Sequence, residues 1–96
     1  MVRFEWDETK NRSNFRKHRI DFETAQLIFD DPGCVTFVER TIDGEPRWHA
    51  IGFAEGVILL VVVHTYSESS PGEIIRIISA RQATPHERKL YEAAHS

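Results

Sequence analysis

A chain of 96 residues with a hydrophobic fraction of 41% is long enough for one domain with a modest core and too apolar for a disordered one. Its single cysteine, Cys34, excludes a disulfide framework and points to a reducing, cytoplasmic setting, and its longest apolar run, Val57 to Val63, is too short to span a membrane. The net charge of −3 is unevenly spread: residues 1–20 carry +3, residues 21–73 carry −8 and residues 74–96 carry +2, so if the two ends meet they form a basic patch suited to a phosphate backbone on an acidic body.

The opening segment, Met1 to Lys10, is polar and has no apolar stretch of the signal-peptide kind. Val2 to Glu5 reads as a short strand. Asp7 caps a helix predicted from Glu8 to His18, polar nearly all round, with Phe15 its main apolar residue. Asp21 caps a second helix whose Phe22, Ala25, Ile28 and Phe29 form an apolar face, and Asp31-Pro32-Gly33 stops it. Strands follow at Cys34–Thr41 and Pro46–Phe53, with glycine-containing turns at Asp43-Gly44 and Glu55-Gly56. Val57–Thr65 is apolar on both faces and is expected at the centre of the sheet. A serine-rich loop, Ser67 to Gly72, precedes the last strand, Ile74–Arg81. Thr84-Pro85-His86-Glu87 then opens the final helix with an N-cap, a first-turn proline and a capping-box glutamate. The order β-α-α-β-β-β-β-α predicts a single α+β domain with a small, mostly antiparallel sheet and packed helices.

Lys10, Asn14, Lys17 and His18 share one face of the first helix, a cationic surface with an imidazole that suits phosphate binding and proton transfer. Asn14 reads better as a structural residue bonded to nearby backbone. In the last strand, simple alternation puts Ile75, Ile77, Ser79 and Arg81 on one face and Ile74, Arg76, Ile78 and Ala80 on the other. Arg81, at the strand end, ranks above Arg76, for which an ion pair with an acidic neighbour is equally expected. His64 ends the most hydrophobic strand, where a structural role outweighs a catalytic one. No phosphate loop, metal-ligand spacing, zinc finger or helix-turn-helix is present, so neither a cofactor nor a protein-held metal is expected.

Two blocks, Trp6-Asp7 with Lys10, Asn14 and Lys17-His18, and Ile75-Arg76-Ile77-Ile78-Ser79-Ala80-Arg81, occur in order. Asp31-Pro32, Gly44-Glu45, Arg47, Ile51-Gly52, His64-Thr65, Glu87-Arg88 and Tyr91 accompany them, and the whole resembles the BrnT toxins from about residue 3 to residue 92. That resemblance implies a RelE-like fold and a ribonuclease that inhibits translation. It implies a BrnA-like antitoxin with a ribbon-helix-helix part, a hetero-oligomer with it, and DNA contact only through it. It makes Arg81, Lys10 and His64 the first candidates for active-site positions, with Arg76 and His18 next and Lys17, Arg12 and Tyr66 as RNA-holding residues. Two positions depart from the family pattern. Arg19 stands where a helix-terminating glycine is usual, and no arginine lies between Thr65 and Pro71. The second departure favours an alternative, a catalytically silent module that acts with a DNA-binding antitoxin as co-repressor. A plain structural domain without a nucleic-acid role is the third reading.

Overall fold

The computed structural model describes residues 2–69 and 72–95. Its elements are β1 (Val2–Trp6), α1 (Glu8–His18), α2 (Phe22–Ala25) running into a 3₁₀ turn (Gln26–Asp30), β2 (Val35–Ile42), β3 (Glu45–Ala54), β4 (Ile58–Ser69), β5 (Gly72–Gln82) and α3 (Pro85–Ala93). They form one five-stranded sheet in the order β1-β5-β4-β3-β2, antiparallel throughout except for the parallel pair β1 and β5. This is the α+β, mostly antiparallel architecture that the sequence predicts. Because β1 lies beside β5, the two basic terminal segments meet, as the charge distribution required for a basic patch.

The apolar strand β4 is central, and each of its faces enters a different core. One face, with Leu60 and Val62, packs under α2 and the 3₁₀ turn through Ile20, Phe22, Ala25 and Ile28. The other, with Leu59 and Val61, packs with Ile51 of β3 against Phe37, Phe53, Ala83 and, from α3, Tyr91. Apolar burial of this kind contributes about 25 cal/mol per Å², so both layers stabilise the same strand. Asp31 ties the layers together: its carboxylate accepts from the N–H groups of Gly33 and Phe53 and from the Tyr91 hydroxyl, each at 2.8 Å.

The predicted second helix is α-helical for a single turn and then tightens, which lays Ile28 against β3. Gly52 makes this approach possible: a Cβ there would lie 3.1 Å from both the Cβ and the carbonyl oxygen of Ile28. Both hairpin turns use left-handed backbone as expected, at Asp43-Gly44 and Glu55-Gly56. The expected loop at residues 67–72 is mostly strand instead. Pairing continues from Ser67 with Ile74 to Ser69 with Gly72, because ladder hydrogen bonds outweigh the weak strand propensity of serine. Ser70 and Pro71 of that loop lie outside the described residues.

α1 has no apolar stripe, and two buried asparagines hold it in place. Asn11 Oδ1 accepts from the Phe22 N–H at 2.8 Å. Asn14 Nδ2 donates to the carbonyls of Ile20 and Ala80, both at 2.8 Å, and its Oδ1 accepts from the Ala80 N–H at 3.1 Å. β1 pairs with β5 only as far as Ile77, so the edge of β5 beyond it has backbone groups that need partners. The Asn14 carboxamide supplies them at Ala80 as a further strand would. The structural reading of Asn14 is the one the bonding supports.

A β-bulge corrects the expected faces of β5. Val63 pairs with Ser79 but His64 pairs with Ile77, leaving Ile78 as an extra residue. The alternation changes phase there. Ile75, Ile77 and Ala80 share the α2 face. Arg76, paired with Thr65, and Arg81, paired with Val61, share the opposite face rather than lying on two.

Two stability measurements test this account. Arg19 is left-handed, at φ 61°, and closes α1 with its N–H on the Phe15 carbonyl at 2.8 Å. Glycine adopts that backbone without the Cβ clash, so Arg19→Gly is expected to stabilise by about 1 kcal/mol, read from the urea midpoint. Asn14→Ala leaves the Ala80 and Ile20 groups without their partner and is expected to cost about 2–3 kcal/mol by the same measurement.

Candidate active site

A cleft of about 310 Å³ lies between α1 and β5. Lys10, Ser13, Lys17 and His18 line it from the helix, and Ile78, Ser79 and Arg81 from the strand, with Asn14 and the Ala80 backbone at the seam. Helical spacing, anchored by Asn14, brings the lysines and His18 to this side. The cleft therefore gathers four of the residues singled out from sequence: Lys10, Lys17, His18 and Arg81.

Arg81 is held by a bidentate ion pair, the most complete among the described residues. Its Nη1 and Nη2 donate to Oε1 and Oε2 of Glu87 at 2.6 and 2.8 Å, a bidentate fork, with the Arg81 side chain 36% exposed. Glu87 also closes the capping box of α3, accepting from the Thr84 N–H at 2.9 Å. The guanidinium hydrogen bonds, with that backbone bond, hold the Glu87 carboxyl at a pKa of about 2, and the same pairing raises that of Arg81. Glu87 was legible in the sequence as a helix cap and as part of the family resemblance, but nothing in one dimension shows that the turn at Thr84 folds it back onto Arg81. Ser13 and Ser79 carried no signal of their own either.

The other candidates lie elsewhere. Arg76 shares the face of Arg81 through the bulge, but its guanidinium is on Glu5 at 3.3 Å, the acidic partner considered for it, and both side chains are exposed. Arg12 lines a separate hollow with Asn11, Phe15, Arg16 and Asp21, away from the cleft. His64 and Tyr66 share a third concavity with Phe29, Thr36, Trp48 and Ile75. His64 does not join Arg81 and Lys10, because its position on β4 points it into the α2 face with Val62. It is 4% exposed, its ring meets Phe29 edge-on at 5.1 Å, and burial lowers its pKa. His49, in contrast, shares the face of Arg76, paired with Val63 and beside Phe37 at 5.5 Å between rings.

Burial, helped by the charge of Asp31, pushes the Cys34 thiol up to about 11, which keeps it protonated at neutral pH. Among the described residues no group of three or more His, Cys, Asp or Glu side chains is arranged to hold a metal ion. No helix among them is long and apolar enough to cross a membrane.

A family model described as the ribonuclease toxin BrnT of type II toxin–antitoxin systems matches residues 6–87. The chain belongs to the BrnT family. Among solved structures it is similar to the Brucella abortus ribonuclease toxin BrnT, with a TM-score of 0.63 and 27% identity over 88% of this chain and 99% of that one. No curated protein matches it. The matched span contains α1, the bulged strand β5 and Glu87, so every element of the cleft lies inside the BrnT region. Membership of a type II system also implies a protein antitoxin as partner.

The Arg81–Glu87 pair sets an acid limit on stability. The folded pKa of Glu87 is depressed from an ordinary 4.5 to about 2, so its contribution is complete above 4.5 and is lost as pH falls toward 2. Glu87→Gln keeps an acceptor for the Thr84 N–H but removes the charge. It is expected to lower stability at pH 7 and to flatten its fall between pH 4.5 and 2, followed by urea unfolding at successive pH values.

Proposed function

We propose that this BrnT family member cleaves RNA in the α1–β5 cleft without a metal ion, that cleavage inhibits translation, and that a BrnA-like ribbon-helix-helix antitoxin neutralises it in the cytoplasm. The observation that carries the reading is the convergence of Lys10, Lys17, His18 and Arg81 on one cleft. RNA cleavage by its own 2′-hydroxyl needs three services. The hydroxyl must lose a proton as its oxygen bonds to phosphorus, the breaking P–O5′ bond must deliver its electron pair to a leaving oxygen that gains a proton, and the crowded phosphate must be stabilised. On this reading Arg81 and Lys10 stabilise the phosphate, His18 moves the proton, and Lys17 holds the adjoining backbone. Arg76, on the face of Arg81, extends the cationic track. His18 is preferred to His64 because it lines the same cleft as Arg81, whereas His64 is buried in another.

Two observations favour the second reading, a catalytically silent co-repressor. Arg81 already has its fork on Glu87, and no arginine follows Thr65 before Pro71. The two readings part on a single assay, cleavage of a defined RNA by the purified chain in EDTA. The ribonuclease reading expects cleavage by the wild type, a fall of roughly 10²–10³-fold in Arg81→Ala, and one of roughly 10²–10⁴-fold in His18→Ala. A well-folded wild type that leaves RNA intact, with and without ribosomes, sinks it in favour of the co-repressor. Wild-type rates in Arg81→Ala would remove Arg81 from the site.

A further inference from the structure

The concavity around His64 is about 270 Å³ in volume and almost wholly apolar. Phe29, Trp48, Tyr66 and Ile75 form most of its walls, and Tyr66 is 40% exposed. It lies on the α2 face of the sheet, whereas Arg76 and Arg81 lie on the other, so RNA held by Arg81 does not cover it.

Its rim carries an unusual charge arrangement. Tyr66 pairs with Ile75 and Glu68 pairs with Glu73, so alternation puts all four side chains on this same face. Two carboxylates directly opposite one another on adjacent strands are destabilising unless a cation lies between them. No ion pair to Glu68 or Glu73 is found among the described residues. Both carboxylates are near enough to Tyr66 to act, after its partial burial, in raising the pKa of the phenol. The wider segment, residues 21–73, has a net charge of −8.

An apolar hole with an anionic rim repels a phosphate backbone and complements a different ligand: a protein segment that inserts one large apolar side chain and sets a lysine or arginine beside it. We infer that this pocket is an anchor site for the antitoxin, filled by an apolar side chain between Phe29, Trp48 and Tyr66, with an adjoining basic residue on Glu68 and Glu73. The partner's place in the type II system comes from family membership, so the inference does not rest on the cleavage chemistry. Burial of His64 as the neutral imidazole fits the same use, since closing the pocket then desolvates no charge there.

The test is titration of the purified chain with its operon-encoded antitoxin by calorimetry, beside RNA binding and cleavage by the same samples. Trp48→Ala removes a wall of the pocket. Glu68→Lys removes half of the anionic rim while placing a lysine opposite Glu73, a cross-strand pair expected to leave the thermal midpoint unchanged or higher. Each variant is expected to bind the antitoxin at least tenfold more weakly, with RNA cleavage within twofold of wild type. Wild-type binding should weaken with added salt more steeply than Glu68→Lys binding does. Antitoxin affinity within twofold of wild type in both variants would overturn the inference. So would loss of RNA binding with antitoxin affinity intact, which assigns the pocket to RNA. Because binding is read apart from cleavage, an inactive wild type that still binds its antitoxin refutes the ribonuclease reading alone.

Discussion

The bonds between the Asn14 carboxamide and the Ala80 peptide are the constraint on which the rest of the candidate site depends. β5 outruns its parallel neighbour β1, and a bare strand edge has to be paired or covered. Asn14 closes that edge with a donor and an acceptor from one side chain. It thereby fixes the distance and rotation of a helix that has almost no apolar surface of its own. Since α1 is not free to roll, Lys10, Lys17 and His18 line one cleft with Ile78 to Arg81, the two lysines remaining exposed.

The bulge at Ile78 is the second constraint, and it works on the sheet itself. Without it, Arg76 and Arg81 would lie on opposite faces, and one of them would have to enter the core under α2. With it, every core-facing position of β5 near the bulge is apolar, and both arginines face away from α2. The same phase change separates the two surfaces of the molecule. The cationic cleft takes Arg81 from one face, while the apolar, acid-rimmed pocket at His64 and Tyr66 occupies the other. A toxin that must meet both RNA and a protein inhibitor gains from surfaces of opposite charge, since each repels the wrong partner.

Glu87 joins stability to the site. It caps α3, and it also holds both terminal nitrogens of Arg81. On the proposed reading, a guanidinium fixed in this way would surrender little rotamer entropy on meeting a phosphate, although two of its donors are occupied by Glu87. The orientation of Arg81 thus depends on a helix separated from the strand that bears it by only Ala83 and Thr84.

Much of the fold was legible in the sequence because its signals are local. Asp7, Asp21 and Thr84 cap the helices they were expected to cap, Gly44 and Gly56 sit in left-handed turns, and the two-faced apolar run of β4 is central. The paired blocks around Lys10 and Arg81 also marked the BrnT family, since residue order is itself sequence information. The face of Arg76, the separation of His64 from Arg81, and the grip of Glu87 on Arg81 were decided only by tertiary structure. Each turns on an event that alternation and spacing do not encode: one extra residue in a ladder, the side of a sheet on which a helix docks, and a turn that folds a cap back onto the preceding strand.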